Sequence, residues 1–120
     1  LLAIAHNGNL SNGQMFPTVE AFGEKIDQKY ARERIKWERL YEATQTKGTS
    51  ESHPYLSPND ELADFEIWDL SNIAGTVAKT PEMLSREYAR SALQSGLRLQ
   101  KERDPAVCRG GRAHAPASSR

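Results

Sequence analysis

A chain of 120 residues with 38% hydrophobic and 27% charged residues is long enough for one modest domain or for part of a larger one. Its 16 basic and 16 acidic residues balance, which argues against a general binder of nucleic acid or of anionic membranes. No run approaches the roughly twenty apolar residues that a membrane span needs. The single cysteine, Cys108, excludes an internal disulfide and leaves the cellular compartment open.

The chain opens with an apolar run, residues 1–5, followed by a glycine-punctuated polar loop that begins at His6. So short a run predicts a buried strand of a parallel sheet, with a buried helix segment as the alternative. His6 would then lie at the carboxyl end of the strand, where α/β folds collect ligands and metals. An ordinary histidine beside a turn is the alternative interpretation. Because Leu1 already belongs to the apolar run and no basic residue precedes it, we expect a soluble chain cut from a larger domain, without a targeting segment.

A helix and a second strand are predicted next. Asp27 is a suitable N-cap for a helix over residues 28–40, in which Ala31 and Ile35 share an apolar strip. Residues 41–46 alternate in polarity and predict a second short strand. A strand, a helix and a strand make a βαβ unit, whose two strands pair in parallel.

Residues 47–58 are rich in Gly, Ser, Thr and Pro, and they form either a functional loop or a solvated surface loop. Glu51 and His53 are two positions apart, so in an extended segment both side chains point to the same side. Pro54 favours extended geometry at His53. The pair could therefore share a metal ion or a proton.

Two further helices are predicted toward the end of the chain. Ser57 and Pro58 are typical of a helix start, and this helix would extend to about Trp68 with a solvated acidic face. Thr80 and Pro81 predict the start of the longest helix, which ends near residue 103. Gly96 in its interior suggests a close approach to another element, and Arg86 and Arg90 are expected on the solvent side. The residues expected to be most buried are Leu84, Tyr88, Ala92 and Leu93.

Three segments together carry a family resemblance: IAHNGNLSNGQMFP, YEATQTKGTSESHPYLSPNDELADFEIWD and TPEMLSREYARSAL. They resemble the C-terminal part of the family catalogued as domain of unknown function 3604, which is similar to the polymerase-and-histidinol-phosphatase (PHP) metallohydrolases. The resemblance implies an α/β fold, a partial and distorted β/α barrel in which the strand-helix-strand unit is followed by helices. It also implies metal ions bound by His, Asp and Glu at the carboxyl ends of the strands.

The resemblance makes His6 the first candidate for a metal ligand, because it matches the His-Asn that follows a mid-barrel strand. Glu42, Glu51 and His53 also match family positions, without an assigned role, and are second-rank metal candidates. The His-x-His strand of the family would precede Leu1. The family's closing Asp-Ser-His segment would follow the long helix, where this chain has a tail rich in Arg, Ala, Gly and Pro. We therefore expect a partial domain over residues 1–103 and a disordered, out-of-frame tail over 104–120.

The function that the resemblance implies is divalent-metal-dependent hydrolysis, with zinc, manganese or iron in the parent protein. The expected substrate is a small molecule of the phosphate-ester class, attacked by metal-bound water. The sequence identifies neither the substrate nor a catalytic residue. With one matched ligand, we expect the chain by itself to be inactive. The alternative is a non-catalytic binding or interaction module that uses the amphipathic helices.

Overall fold

The computed structural model describes residues 2–103, and its helices and short strands make a mixed α/β structure. Leu1 lies outside the described residues, and so does the tail over residues 104–120, which is predicted to be disordered. In chain order the elements are β1 (Ile4–Ala5), α1 (Gln28–Trp37), β2 (Leu40–Tyr41), β3 (Thr44–Gln45), β4 (Gly48–Thr49), α2 (Pro81–Leu84) and α3 (Ala89–Arg103), and a 3-10 turn at Gly8–Leu10 follows β1.

The first half of the chain contains the predicted strand-helix-strand unit. β1 and β2 pair in parallel, with Ile4 opposite Leu40 and Ala5 opposite Tyr41, which confirms the prediction. The Asp27 carboxylate caps α1 by accepting a hydrogen bond from the backbone N–H of Tyr30 at 2.7 Å. Helix α1 ends at Trp37 and not at residue 40, because Leu40 already belongs to β2.

The second strand is shorter than the predicted 41–46. The chain leaves β2 after Tyr41, and β3 then pairs antiparallel with β4 in a small hairpin. Gly48 makes this hairpin possible, since its φ is +88° and a Cβ there would lie 2.2 Å from the backbone oxygen of Glu66. A second, independent sheet therefore replaces the end of the predicted strand.

The acidic segment that begins at Ser57 is not the predicted helix; it forms a series of turns. Hydrogen bonds join Asp60 N to Ser57 O and Ala63 N to Asp60 O at 3.1 Å, spacings of three residues and not four. The Asp60 carboxylate binds the backbone N–H of Leu62 and the guanidinium of Arg90, and Glu66 has a φ of +51°. These side-chain bonds and the left-handed residue favour turns over a continuous helix.

The predicted long helix is divided into α2 and α3. Pro81 occupies the first turn of α2 as predicted, but α2 ends at Leu84. The N–H groups of Ala89 and Arg90 donate to the backbone oxygens of Ser50 and Glu51 at 2.9 and 3.0 Å, and not to the preceding helical turn. The break therefore docks the start of α3 on the 50–51 segment.

Burial along this segment confirms only part of the prediction. Leu84 and Tyr88 are buried as expected, whereas Leu93 is 65% exposed. Ala92 is half-buried, and so is Arg86, which was expected on the solvent side, whereas the Arg90 side chain is 39% exposed. Leu93 is exposed because α3 presents its apolar face to an open groove beside α1.

Gly96 borders this groove. Within the described residues, a Cβ on Gly96 would meet no atom inside 4 Å, so close packing does not explain this glycine. Among residues 2–103, no helix combines the length and the apolar character that crossing a membrane requires.

Candidate functional site

The carboxyl edge of the β1–β2 pair brings two of the candidate residues together. His6 and Glu42 are the next residues after the paired Ala5 and Tyr41, and the N–H of Glu42 continues the ladder by donating to Ala5 O at 2.9 Å. The His6 side chain is exposed, whereas Glu42 is half-buried and its carboxylate accepts a hydrogen bond from Gln45. This edge is the place where parallel sheets present ligands.

The imidazole of His6 is oriented by its own strand. Its Nδ1 lies 3.2 Å from the backbone oxygen of Ile4, and a carbonyl can only accept, so Nδ1 carries the proton in this contact. In the neutral ring Nε2 then keeps its lone pair. A histidine in this tautomer is able to ligate a metal or accept a proton through Nε2.

His53 lies in a different environment. It is 5% exposed, and the N–H of Tyr55 donates to its Nδ1 at 3.1 Å. The proton of the neutral ring is therefore on Nε2, which lies 3.5 Å from a carboxylate oxygen of Asp69. The ring also packs against Tyr88, with centroids 5.2 Å apart. In this tautomer His53 has no free lone pair for a metal.

Glu51 belongs to a surface ion-pair network and does not share a partner with His53. Its carboxylate lies 2.9 Å from the guanidinium of Arg90, which also binds Asp60. The hydrogen bond from Arg90 lowers the pKa of Asp60, and the same contact raises the pKa of Arg90. Within residues 2–103, no three His, Cys, Asp or Glu side chains are grouped closely enough to hold a metal ion.

The loop that follows His6 is packed into the protein. Asn7 and Asn12 adopt left-handed φ values of 58° and 55°, in agreement with the tolerance of asparagine for this region. Gly8 is buried, and a Cβ there would lie 2.1 Å from the hydroxyl of Tyr41 and 2.5 Å from the backbone oxygen of Glu87. The loop therefore depends on a glycine at this close approach.

We call the polar side chains that hold this loop the loop anchor: Asn9, Lys47, Ser50, Lys79 and Glu87. On one side, the ammonium of Lys47 donates to Asn9 Oδ1 and to Ser50 Oγ, each at 2.7 Å. The Ser50 hydroxyl donates to Asn9 Oδ1 at 2.8 Å. Burial lowers the pKa of Lys47.

The other side of the loop anchor is a buried ion pair. Lys79 Nζ lies 2.7 Å from Glu87 Oε2, and the two side chains are 4% and 0% exposed. The second oxygen of Glu87 accepts the N–H of Gly13 at 3.0 Å, and Lys79 also donates to the backbone oxygen of Asn9. Both charges are therefore engaged by the loop as well as by each other.

A comparison with protein-family models finds a match over residues 1–106 to DUF3604, a family described as proteins of unknown function. The chain belongs to this family. No curated protein and no solved structure matches the chain. The family description assigns no activity, and the chemistry of the site is therefore what bears on function.

The sequence-based reasoning missed most of the loop anchor in this DUF3604 chain. Lys79 and Glu87 lie eight positions apart, a spacing with no recognisable motif, and Glu87 bonds to a backbone N–H that is 74 residues away. The available signal was the pair of glycines, Gly8 and Gly13, which indicated a tightly packed loop. It did not indicate which side chains would contact it.

A second feature of the DUF3604 chain is the open groove between α1 and α3. It has a volume of about 690 Å³ and is bordered by apolar side chains of both helices. Phe16 and Tyr41 also line it, with ring centroids 5.3 Å apart. The main helical contributors are Ala31, Ile35, Ala92, Leu93 and Leu97.

Proposed function

We propose that this DUF3604 chain supplies part of the active site of a divalent-metal-dependent hydrolase that acts on a phosphate ester. The chain would be the C-terminal part of a PHP-like β/α barrel. The observation that carries the proposal is His6, an exposed imidazole at the carboxyl edge of a parallel strand pair, with its Nε2 lone pair free and Glu42 beside it at the same edge.

The residues present fit part of a metal site and not a whole one. His6 offers one nitrogen donor and Glu42 offers carboxylate oxygens, both of which suit zinc, manganese or iron. No group of three candidate ligands exists within residues 2–103. We therefore assign no reaction step to the chain alone and propose that it is inactive in isolation.

The chain's own contribution would be to orient a ligand. The contact with Ile4 O keeps the proton of His6 on Nδ1, so that Nε2 is the free atom. When bound, a divalent ion would supply an activated water and stabilise charge on the phosphoryl oxygens. Half-buried Glu42 would offer its carboxylate from the adjacent strand.

Zinc titration of the chain followed by NMR tests this proposal. We expect the ring resonances of His6 to respond to Zn²⁺, His6→Ala to abolish the response at this edge, and Glu42→Gln to weaken it. Glu33→Gln is the matched control, because Glu33 is an exposed carboxylate on α1. Zinc binding that is unchanged in His6→Ala would contradict the role of His6.

An activity assay tests the second half of the proposal. With excess zinc or manganese, we expect the chain to hydrolyse neither a generic phosphodiester nor a phosphomonoester. Metal-dependent turnover that disappears in His6→Ala would show that the chain contains a complete site.

The groove between α1 and α3 favours a second candidate, a non-catalytic interaction module that binds through its amphipathic helices. Leu93 and Leu97 are 65% and 57% exposed there, which leaves a contiguous apolar surface open. The metal content of the full-length protein discriminates between the two candidates. Bound zinc, manganese or iron that is lost in His6→Ala supports the hydrolase, whereas a full-length protein that binds none of these metals supports the interaction module.

A further inference from the structure

We infer that Glu87, held in place by its buried ion pair with Lys79, is a positioning residue for His6, a role that rests on the proposed function of the carboxyl edge. The two side chains form a buried ion pair, and each also holds one backbone group of the loop that follows His6. Glu87 accepts from Gly13 N at 3.0 Å, and Lys79 donates to Asn9 O.

A buried ion pair is a poor device for stability alone. The cost of removing two charges from water offsets much of their attraction, and apolar side chains of similar volume often stabilise a protein as well or better. Backbone groups of a buried loop, however, need hydrogen-bond partners that a strand or helix would otherwise supply. The Lys79–Glu87 pair supplies one donor and one acceptor where Asn9 and Gly13 need them, which an apolar pair cannot do.

The geometry connects these bonds to His6. The ladder of β1 and β2 fixes the chain up to Ala5, and the loop anchor fixes it again from Asn9 onward. Between these points Gly8 packs against Tyr41 and against the backbone oxygen of Glu87. His6 lies in the short span held at both ends, with its ring in solvent and its Nδ1 turned back to Ile4 O.

The test compares two double variants, Lys79→Met/Glu87→Gln and Lys79→Met/Glu87→Leu. Neither has a charge at the pair, and they differ in whether position 87 keeps an oxygen that can accept the N–H of Gly13. The readouts are the exchange rate of the Gly13 amide, the ¹⁵N shifts of the His6 ring, which report its tautomer, and the urea midpoint.

We expect the urea midpoint of the Leu variant to be the lower of the two, because the buried N–H of Gly13 is left without an acceptor. In the Leu variant the Gly13 amide should exchange at least tenfold faster than in the Gln variant, and the His6 ring should lose its preference for the Nδ1–H tautomer. Arg90→Gln is the control, because it breaks only the exposed network of Arg90 with Glu51 and Asp60, and it should leave both His6 and Gly13 unchanged. Wild-type exchange and His6 shifts in the Leu variant would overturn the inference.

The single variant Glu87→Gln decides the matter if the Leu variant does not fold. It leaves Lys79 without a counter-charge but keeps an acceptor for Gly13, so stability should fall while the His6 tautomer is retained. If the ¹⁵N shifts of the His6 ring change in Glu87→Gln together with the urea midpoint, the role of Glu87 is purely structural. Failure of the proposed function would give a different result. The ring resonances of His6 in the wild-type chain would not respond to Zn²⁺, whereas the tautomer and amide-exchange results would still be as expected.

Discussion

The loop anchor and the α1–α3 groove combine polarity and exposure in opposite ways. Asn9 and Glu87 are polar or charged and have no exposed surface, whereas Ile35 and Leu93 are large and apolar and remain 66% and 65% exposed. The loop beside the candidate site is therefore held by hydrogen bonds between distant segments, in addition to the buried side chain of Leu10. Along the two helices the apolar faces are formed but not covered by the described residues.

This contrast determines where substitutions should matter. In the described residues the buried apolar side chains are Leu10, Ala63, Leu84 and Tyr88, which make a small core. Removing a hydrogen-bond partner from the loop anchor leaves a buried polar group unsatisfied. Shortening a side chain in the groove, by contrast, removes surface that water already contacts.

The largest effect should come from breaking the buried ion pair on one side only. Glu87→Leu leaves the ammonium of Lys79 buried without its counter-charge and should cost about 3–5 kcal/mol of the free energy of unfolding. Urea denaturation followed by circular dichroism measures this loss. A variant that does not fold at 25 °C would also agree with the prediction. A stability within about 0.5 kcal/mol of wild type would contradict the burial of this pair.

A matched pair of leucines tests the contrast within the α2–α3 segment. Leu84→Ala removes a side chain that is 4% exposed and should cost about 2–5 kcal/mol. Leu97→Ala changes a groove residue that is 57% exposed and should cost less than about 1 kcal/mol. Equal losses in the two urea titrations would mean that the groove is covered in solution.

Two tyrosines test the same comparison on side-chain hydroxyl groups. Within residues 2–103 the buried hydroxyl of Tyr88 has no hydrogen-bond partner, so Tyr88→Phe should raise stability by about 1 kcal/mol. Tyr41 donates to Ser50 O at 3.2 Å, and Tyr41→Phe should lower stability by about 0.5–1.5 kcal/mol. Destabilisation by Tyr88→Phe would indicate a partner for that hydroxyl.

The same tyrosines predict a loss of stability in alkali. Burial is the largest cause that raises the pKa of Tyr88 and of Tyr41 in the folded protein. Because the folded pKa lies above the unfolded value of about 10, this contribution is complete below that pH and is lost as the pH rises through the folded pKa. Tyr88→Phe should reduce the alkaline sensitivity of the urea midpoint, and an unchanged pH profile would contradict the assignment.

The smallest effect should come from the exposed ion pairs. The pKa of Asp60 is lowered, first because Arg90 donates a hydrogen bond to it. The resulting stability is present above the ordinary carboxyl pKa of 3.8 and is lost as the pH falls through the lower folded value. Arg90→Gln should therefore shift the urea midpoint slightly at pH 7, and the shift should shrink as the pH falls below 3.8 toward the folded pKa of Asp60. A large or pH-independent shift would mean that Arg90 acts through packing.

Local signals allowed the beginning of the fold to be predicted. The parallel pairing of β1 with β2 follows from a helical connection that is long enough for a crossover. The Asp27 cap, helix α1 and Pro81 in the first turn of α2 depend on residues close together in the chain. The position of His6 after β1, and hence the candidate edge, was predictable for the same reason. These features need only a cap, a periodicity and a connection of sufficient length.

The tertiary structure alone decided where the helices stop and which charges are buried. The helix predicted from Pro81 breaks before Ala89 because the backbone oxygen of Ser50 accepts the N–H of Ala89, from a segment far away in the chain. Lys79 and Glu87 look like ordinary surface residues in the sequence, and only folding brings Asn9 and Gly13 against them. Periodicity reports which face of an element is apolar, but it does not report which distant backbone groups remain to be satisfied, and those groups determined the loop anchor.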